Sequence, residues 1–324
     1  MNILWVLMDY NEPFTGGVER TYHDAMLASA RLGHKNTVFP VSMGTRKTLP
    51  EGTEKISSLS GRYDIAIVEV GDVCTRFVGD IKSMADKVVI KSQNANYDQV
   101  RRLTQKYGPL TYLLYTKPGR LAASVHKDNK FYYRPPIVDT SLWFRDESVI
   151  RAEKTVLYVG RVAPSKGISR LMYVANALPD HEFVMVGSSN VKSEIQLTEK
   201  LIREINTTGN VVWRKGFVRD DILLKYYNKA SALIVPSIKE TFGHQIIESL
   251  LCETPVTTMF TVECSSERFF RDYIRIINRE RDVIASISSG DFKSVGGFRS
   301  ELEERFGIES GMKFLNDFFT RVMN

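Results

Sequence analysis

Two short clusters carry residue types that could do chemistry. The first is Gly160-Arg161-Val162-Ala163-Pro164-Ser165-Lys166-Gly167. A planar, permanently charged guanidinium grips phosphate oxygens bidentately, and a lysine adds a mobile point charge. Gly160 allows close backbone approach. The segment is neither a Walker A loop nor G-x-G-x-x-G, which weighs against nucleotidase and dehydrogenase chemistry. The second is Pro236-Ser237-Ile238-Lys239-Glu240-Thr241-Phe242-Gly243-His244-Gln245-Ile246-Ile247-Glu248. A helix starting near Gly243 would offer unpaired amides and its positive dipole end to an anion. Carboxylates accept hydrogen bonds from vicinal hydroxyls. Glu240 before that anion site and Glu248 after it therefore suit a molecule with a sugar on each side of a diphosphate. His244 reads as filler at the helix start rather than as a catalyst.

The surrounding elements must deliver these clusters to one place. Short apolar runs alternate with helical patterns along almost the whole chain. Strands are predicted at 3–8, 37–41, 64–68, 87–90 and 131–133, and helices at 17–32, 98–107 and 117–125. Pro135-Pro136 and the polar stretch 139–154 interrupt the alternation. It restarts with strands at 155–159, 182–186, 210–213, 232–235 and 255–258. The helices between them are predicted at 167–177, 191–205, 220–227 and 243–251, and a final amphipathic helix at 309–322. Strands separated by helices of this length imply right-handed βαβ units and parallel sheets. The expected fold class is α/β, with two Rossmann-like doubly wound domains. The expected division is residues 1–140, 141–305 and a terminal helix 306–324 that returns to the first domain. Ligands of such sheets sit outside the carboxyl ends of strands, at a switch point in strand order. Both clusters directly follow predicted strands.

The pattern Glu240-x7-Glu248, with Phe242-Gly243 inside it and Ser249-Leu250-Leu251-Cys252-Glu253-Thr254-Pro255-Val256 after it, resembles the retaining glycosyltransferases of family four. Gly16-Gly17-Val18-Glu19-Arg20, Gly160-Arg161 with Lys166-Gly167, and Val186-Gly187-Ser188 agree with that family's remaining motifs in order and spacing. The resemblance runs from residue 2 to about 258. It implies the GT-B fold, in which the two domains face each other across a cleft. It implies catalytic roles for Glu240 on hydroxyls of the transferred sugar and for Arg161 and Lys166 on the diphosphate. It places Gly16, Gly17, Gly160, Gly187, Phe242, Gly243 and Glu248 at the donor, with Glu248 on the nucleotide ribose. A UDP-, GDP- or ADP-sugar would be a substrate; no cofactor and no metal ion is expected, because the two cations and the helix end stand in for a divalent ion. Three departures stand out. Many relatives carry a histidine where this chain reads Lys91-Ser92-Gln93-Asn94, leaving Gln93 or Asn94 to orient the acceptor. Glu253 occupies a place usually held by glycine. The stretch after Thr258 lacks the family's glycine-rich loop, with Glu263 and Glu267 as candidate substitutes. A non-catalytic protein that keeps the nucleotide-sugar pocket is the alternative, and a two-domain sugar epimerase a third reading.

The 324 residues exceed the about 250–300 at which a single core stops growing, so two domains are expected. No apolar run approaches the roughly 20 residues of a bilayer span. The N-terminus reads as a buried strand, not a signal peptide. Three widely spaced cysteines (Cys74, Cys252, Cys264) argue against a disulfide framework, so a cytoplasmic setting is expected. The net charge of +6 is uneven: residues 82–134 hold eleven Lys and Arg against three Asp, a net +8. Such a face attracts phosphates, an anionic membrane surface, or nucleic acid. Arg101, Arg102, Lys106, Lys117, Arg120 and Lys127 lie in the acceptor half. Leu110, Tyr112, Leu113 and Leu114 are apolar candidates for membrane contact, with the core as their better place.

Overall fold

The computed structural model describes residues 1–8, 17–42, 49–92, 96–115, 120–188, 195–238, 240, 242–259, 273–277 and 279–324. Gly16, Gln93, Asn94, Glu263 and Glu267 lie outside them, as do parts of the helices predicted at 117–125 and 191–205. The chain divides into two compact units, residues 1–138 with 303–324, and residues 139–302. The boundaries fall a few residues before those expected from sequence. Asp139 already belongs to the second unit, where its carboxylate caps the 3-10 turn Thr140–Leu142 by accepting from the Ser141 amide at 3.1 Å. Val138 stays with the first unit, its amide donating to the Phe306 carbonyl at 2.8 Å.

In the first unit the strands are β1 (Asn2–Leu7), β2 (Lys35–Pro40), β3 (Thr53–Lys55), β4 (Tyr63–Glu69), β5 (Ala85–Ser92), β6 (Thr111–Leu114) and β7 (Lys130–Tyr133). They form one parallel sheet in the order β3-β2-β1-β4-β5-β6-β7. The helices are α1 (Gly17–Arg31), α2 (Asp72–Thr75), α3 (Val78–Met84), α4 (Tyr97–Tyr107) and α5 (Arg120–Ala123). β1 explains why the run is apolar throughout. Ile3, Trp5 and Leu7 pack on one face of the sheet, and Leu4 and Val6 on the other. A strand covered on both faces has no polar side to show. β6 was not foreseen; Tyr112 and Leu114 are fully buried in it, so the apolar residues near the cations are core.

The second unit carries β8 (Ala152–Val159), β9 (Glu182–Gly187), β10 (Val211–Lys215), β11 (Ala230–Val235), β12 (Val256–Thr258) and β13 (Arg275–Ile276). They are parallel, in the order β10-β9-β8-β11-β12-β13, the doubly wound arrangement of a dinucleotide-binding fold. Its helices are α6 (Ile168–Ala177), α7 (Ile195–Thr207), α8 (Asp220–Lys229), α9 (His244–Leu251) and α10 (Glu280–Ser289). α11 (Arg299–Phe306) crosses the division, and α12 (Ile308–Met323) belongs to the first unit. There α12 packs on α1, burying Leu315, Phe318, Phe319 and Val322 in the core beside Tyr22 and Met26. Among the described residues, no helix is long and apolar enough to cross a membrane.

The glycine replaced by Glu253 has a visible purpose. After α9, the Glu253 amide donates to Leu250 at 3.0 Å and the Thr254 amide to Ser249 at 2.8 Å. These are the paired bonds of a Schellman motif, whose C′ residue must be left-handed. Glu253 sits there at φ 54°. A side chain in that region costs roughly 1–2 kcal/mol, partly offset by the chain entropy a glycine loses. Glu253→Gly is therefore expected to stabilise the second unit by about 0.5–1 kcal/mol, read as a higher urea midpoint; an unchanged or lower midpoint would refute it.

Candidate functional site

Strand order in the second unit reverses between β8 and β11, whose carboxyl ends lie side by side. The two clusters singled out in the sequence leave from those two ends. They are stitched together by backbone: the Ile238 amide donates to the Ser165 carbonyl at 3.1 Å. Gly167 allows this approach. It is left-handed at φ 69°, and a Cβ there would stand 1.9 Å from the Pro236 carbonyl oxygen. Gly187, at the end of β9, likewise has a packing reason, since a Cβ would stand 1.8 Å from the Gly160 oxygen.

This arrangement brings together residues 74 positions apart: the Lys166 ammonium lies 2.7 Å from Glu240 Oε2. Their side chains are only 19% and 11% exposed, so water screens the pair weakly. Ser237 Oγ at 3.2 Å and Gln245 Nε2 at 3.3 Å donate to the same oxygen. Among the described residues, these side-chain bonds all fall on Oε2, and Glu240 Oε1 accepts none. Gly243 is the N-cap of α9, and its Cα borders the Glu240 side chain: a Cβ would lie 3.3 Å from Glu240 Cγ. Lys166, Glu240 and the start of α9 thus converge.

Arg161 is exposed, and its carbonyl accepts from the Tyr158 hydroxyl at 2.6 Å. Burial, then the Glu240 carboxylate, pushes that hydroxyl far above its usual range, against an opposing pull from the Arg161 charge. Tyr158 therefore feels the charge of both groups. Phe242 is buried, its ring edge-on to His244 at 6.1 Å. Glu248 is 4% exposed and accepts from the Tyr227 hydroxyl at 2.7 Å. Tyr227 is in turn packed edge-on against Trp143 at 5.7 Å. Burial first, with the Glu248 charge adding to it, pushes the Cys252 thiol up to about 12, which leaves it inert as a nucleophile.

In the first unit, Gly17 opens α1 and is exposed. Sequence reasoning passed over the group packed behind it. Lys91, in β5, is buried with its ammonium 2.5 Å from the Tyr115 hydroxyl and 3.2 Å from Thr21 Oγ1. It also lies 3.8 Å from the centre of the Tyr22 ring. Burial brings the Lys91 amine down to about 7, opposed by the Glu69 carboxylate. Glu69, at the end of β4, also accepts from the Met8 amide at 2.8 Å. A lysine following the apolar run Val88-Val89-Ile90 in a central strand was the available signal. Tyr158 and Tyr227 gave none, because a tyrosine in a strand or helix reads as core.

An α/β chain of two parallel sheets, the second with cations, a carboxylate and a helix start at its switch point, has the build of the GT-B fold. Sucrose-phosphate synthase from Thermosynechococcus elongatus superposes with a TM-score of 0.75 at 16% identity, covering 99% of each chain. Anabaena HepE in complex with UDP and glucose does so with a TM-score of 0.73 at 14% identity, over 99% of this chain and all of that one. Residues 140–265 match the family model "Glycosyl transferases group 1". A glycosyltransferase of Methanocaldococcus jannaschii, MJ1607, is 33% identical over 110 residues, 32% of this chain and 26% of that one. The D-inositol 3-phosphate glycosyltransferase of Acidothermus cellulolyticus is 27% identical over 196 residues, 55% of this chain and 39% of that one. The chain thus spans about a quarter to two fifths of the length of these curated relatives.

Proposed function

We propose that this chain transfers a hexose from a nucleoside-diphosphate sugar to an acceptor hydroxyl with retention of configuration. The observation that carries the reading is the Lys166–Glu240 pair beside the start of α9, at the switch point between β8 and β11. The UDP held in the solved complexes of HepE supports a UDP-sugar as donor. Arg161, Lys166 and the amides at Phe242 and Gly243 would hold the diphosphate, Glu240 Oε1 a sugar hydroxyl, and Glu248 the ribose. Gly160 and Gly187 shape the floor, Gly16 and Gly17 would approach the donor, and Gln93 and Asn94 would serve the acceptor side.

Cleaving the bond between the sugar C1 and the phosphate oxygen leaves positive charge on the ring and negative charge on the diphosphate. Fixed cations and amides aimed at the leaving group stabilise that charge without reorganising during the reaction. They do what a divalent ion would otherwise do. The acceptor oxygen then bonds C1 on the face the diphosphate leaves, and its proton passes to the departing phosphate oxygen.

The test is incubation with UDP-, GDP- and ADP-sugars, following release of nucleoside diphosphate, alongside thermal shifts that identify the donor by mass action. Slow hydrolysis of one donor is expected. Arg161→Ala is expected to slow it about 100–1000-fold, the usual effect of removing one donor to developing charge. Retention of more than half the wild-type rate would overturn the assignment of Arg161.

A further inference from the structure

In the first unit, a cavity of about 240 Å³ opens at the carboxyl end of β4, between α2 and α4. Arg76, Arg102 and Lys106 line it, with Asp72, Gln99 and Tyr107. Gln99, Arg102 and Lys106 are three and four residues apart, so they share one face of α4. Val100 and Thr104 are buried on the other face, and Leu103, also buried, lines the cavity between the cations. The Tyr107 hydroxyl donates to the Thr75 carbonyl at 2.9 Å, tying the end of α4 to the end of α2 and hence to Arg76. Arg76 stands over the Phe77 ring at 4.7 Å and Lys106 over the Tyr107 ring at 5.0 Å, contacts that restrain both charges. Among the described residues, none of the three cations forms an ion pair, whereas Arg62, nearby in sequence, is paired with Asp86.

The lining carries three positive charges and one negative, a net +2. A phosphate monoester carries about −1.5 to −2 at neutral pH and offers three acceptor oxygens, which matches; a carboxylate leaves the excess uncompensated. The volume is below the about 300–1,000 Å³ of a whole small-molecule site, so the cavity suits one charged group of a larger molecule. It lies beside the point where strand order reverses between β1 and β4. We propose that this cavity binds the phosphate group of a phosphorylated acceptor. The word acceptor rests on the transferase reading above; the phosphate site itself does not.

The experiment is calorimetric titration of the full chain with inorganic phosphate at low salt. Arg102→Gln/Lys106→Gln is compared with Arg161→Ala, with the melting temperature as the folding control. Saturable binding is expected in wild type and in Arg161→Ala, weakened at least tenfold in the double variant. No binding in wild type, or loss in Arg161→Ala but not in the double variant, overturns the proposal. A second arm locates the source. Displacement of phosphate by soluble sugar phosphates supports the cavity with a soluble acceptor. Sedimentation with phosphatidic acid vesicles, absent with phosphatidylcholine and displaced by phosphate, supports it with a lipid headgroup. Vesicle binding that phosphate does not displace, without phosphate binding in solution, overturns it in favour of a flat membrane contact. Nucleoside diphosphate release by the wild-type chain without phosphate tests the transferase reading separately.

Discussion

Lys166→Ala is expected to slow nucleoside diphosphate release by about 100–1000-fold. Two effects add. The alanine removes a cation that offsets charge on the departing diphosphate. It also removes the partner that holds Glu240 at 2.7 Å, so the carboxylate loses its orientation toward the sugar. Glu240→Gln keeps the shape and some of the hydrogen bonds but deletes the charge, and should lower the rate through the sugar side instead. Because the two residues act as one unit, the double variant should be much less impaired than the product of the single losses. Rates from a donor-hydrolysis assay decide this. Multiplicative losses would mean that the ion pair is incidental, and a Lys166→Ala rate within threefold of wild type would remove Lys166 from the chemistry.

The second large effect is in stability against pH, and it belongs to the first unit. Lys91 has a folded pKa of about 7 against about 10.5 unfolded. Between those values the unfolded chain carries a proton that the folded chain lacks, so stability rises with pH. The gain is complete above about 10.5 and absent below about 7, with a slope of at most about 1.4 kcal/mol per pH unit. The total is on the order of 3–5 kcal/mol. The groups facing Lys91 bound the window. Glu69 opposes the shift. Tyr22 and Tyr115 are held protonated, chiefly by burial, so they act in the opposite sense once unfolded tyrosine ionises near pH 10. Stability should therefore peak near pH 9–10 and fall beyond it. Urea midpoints at pH 6.5, 8 and 9.5, with hydrogen exchange of β1 and α1 peptides to resolve the first unit, measure the slope. Lys91→Met should be nearly flat across the window. A parallel rise in both proteins would show that the buried amine is not its source.

The elements and their sense follow from the pattern of residue types along the chain. Strands buried on both faces must be apolar throughout, as in β1 and β11, and helices of ten to fifteen residues between them leave parallel pairing as the available solution. Chemistry-bearing residues placed directly after β8 and β11 then lie at carboxyl ends, which is why both clusters were legible as candidate sites. Strand order was not legible, because each βαβ unit satisfies its own hydrogen bonds whichever neighbour it later finds. Only the tertiary fold set β8 beside β11, so only it could reveal that Lys166 and Glu240 pair with each other and that the Tyr158 hydroxyl donates to the Arg161 carbonyl. The same holds for Lys91 among Thr21, Tyr22 and Tyr115, and for three cations, two from α4 and one just after α2, around one cavity. Local propensity acts over a few residues along the chain, whereas pKa values, ion pairs and cavities depend on distances that packing alone fixes.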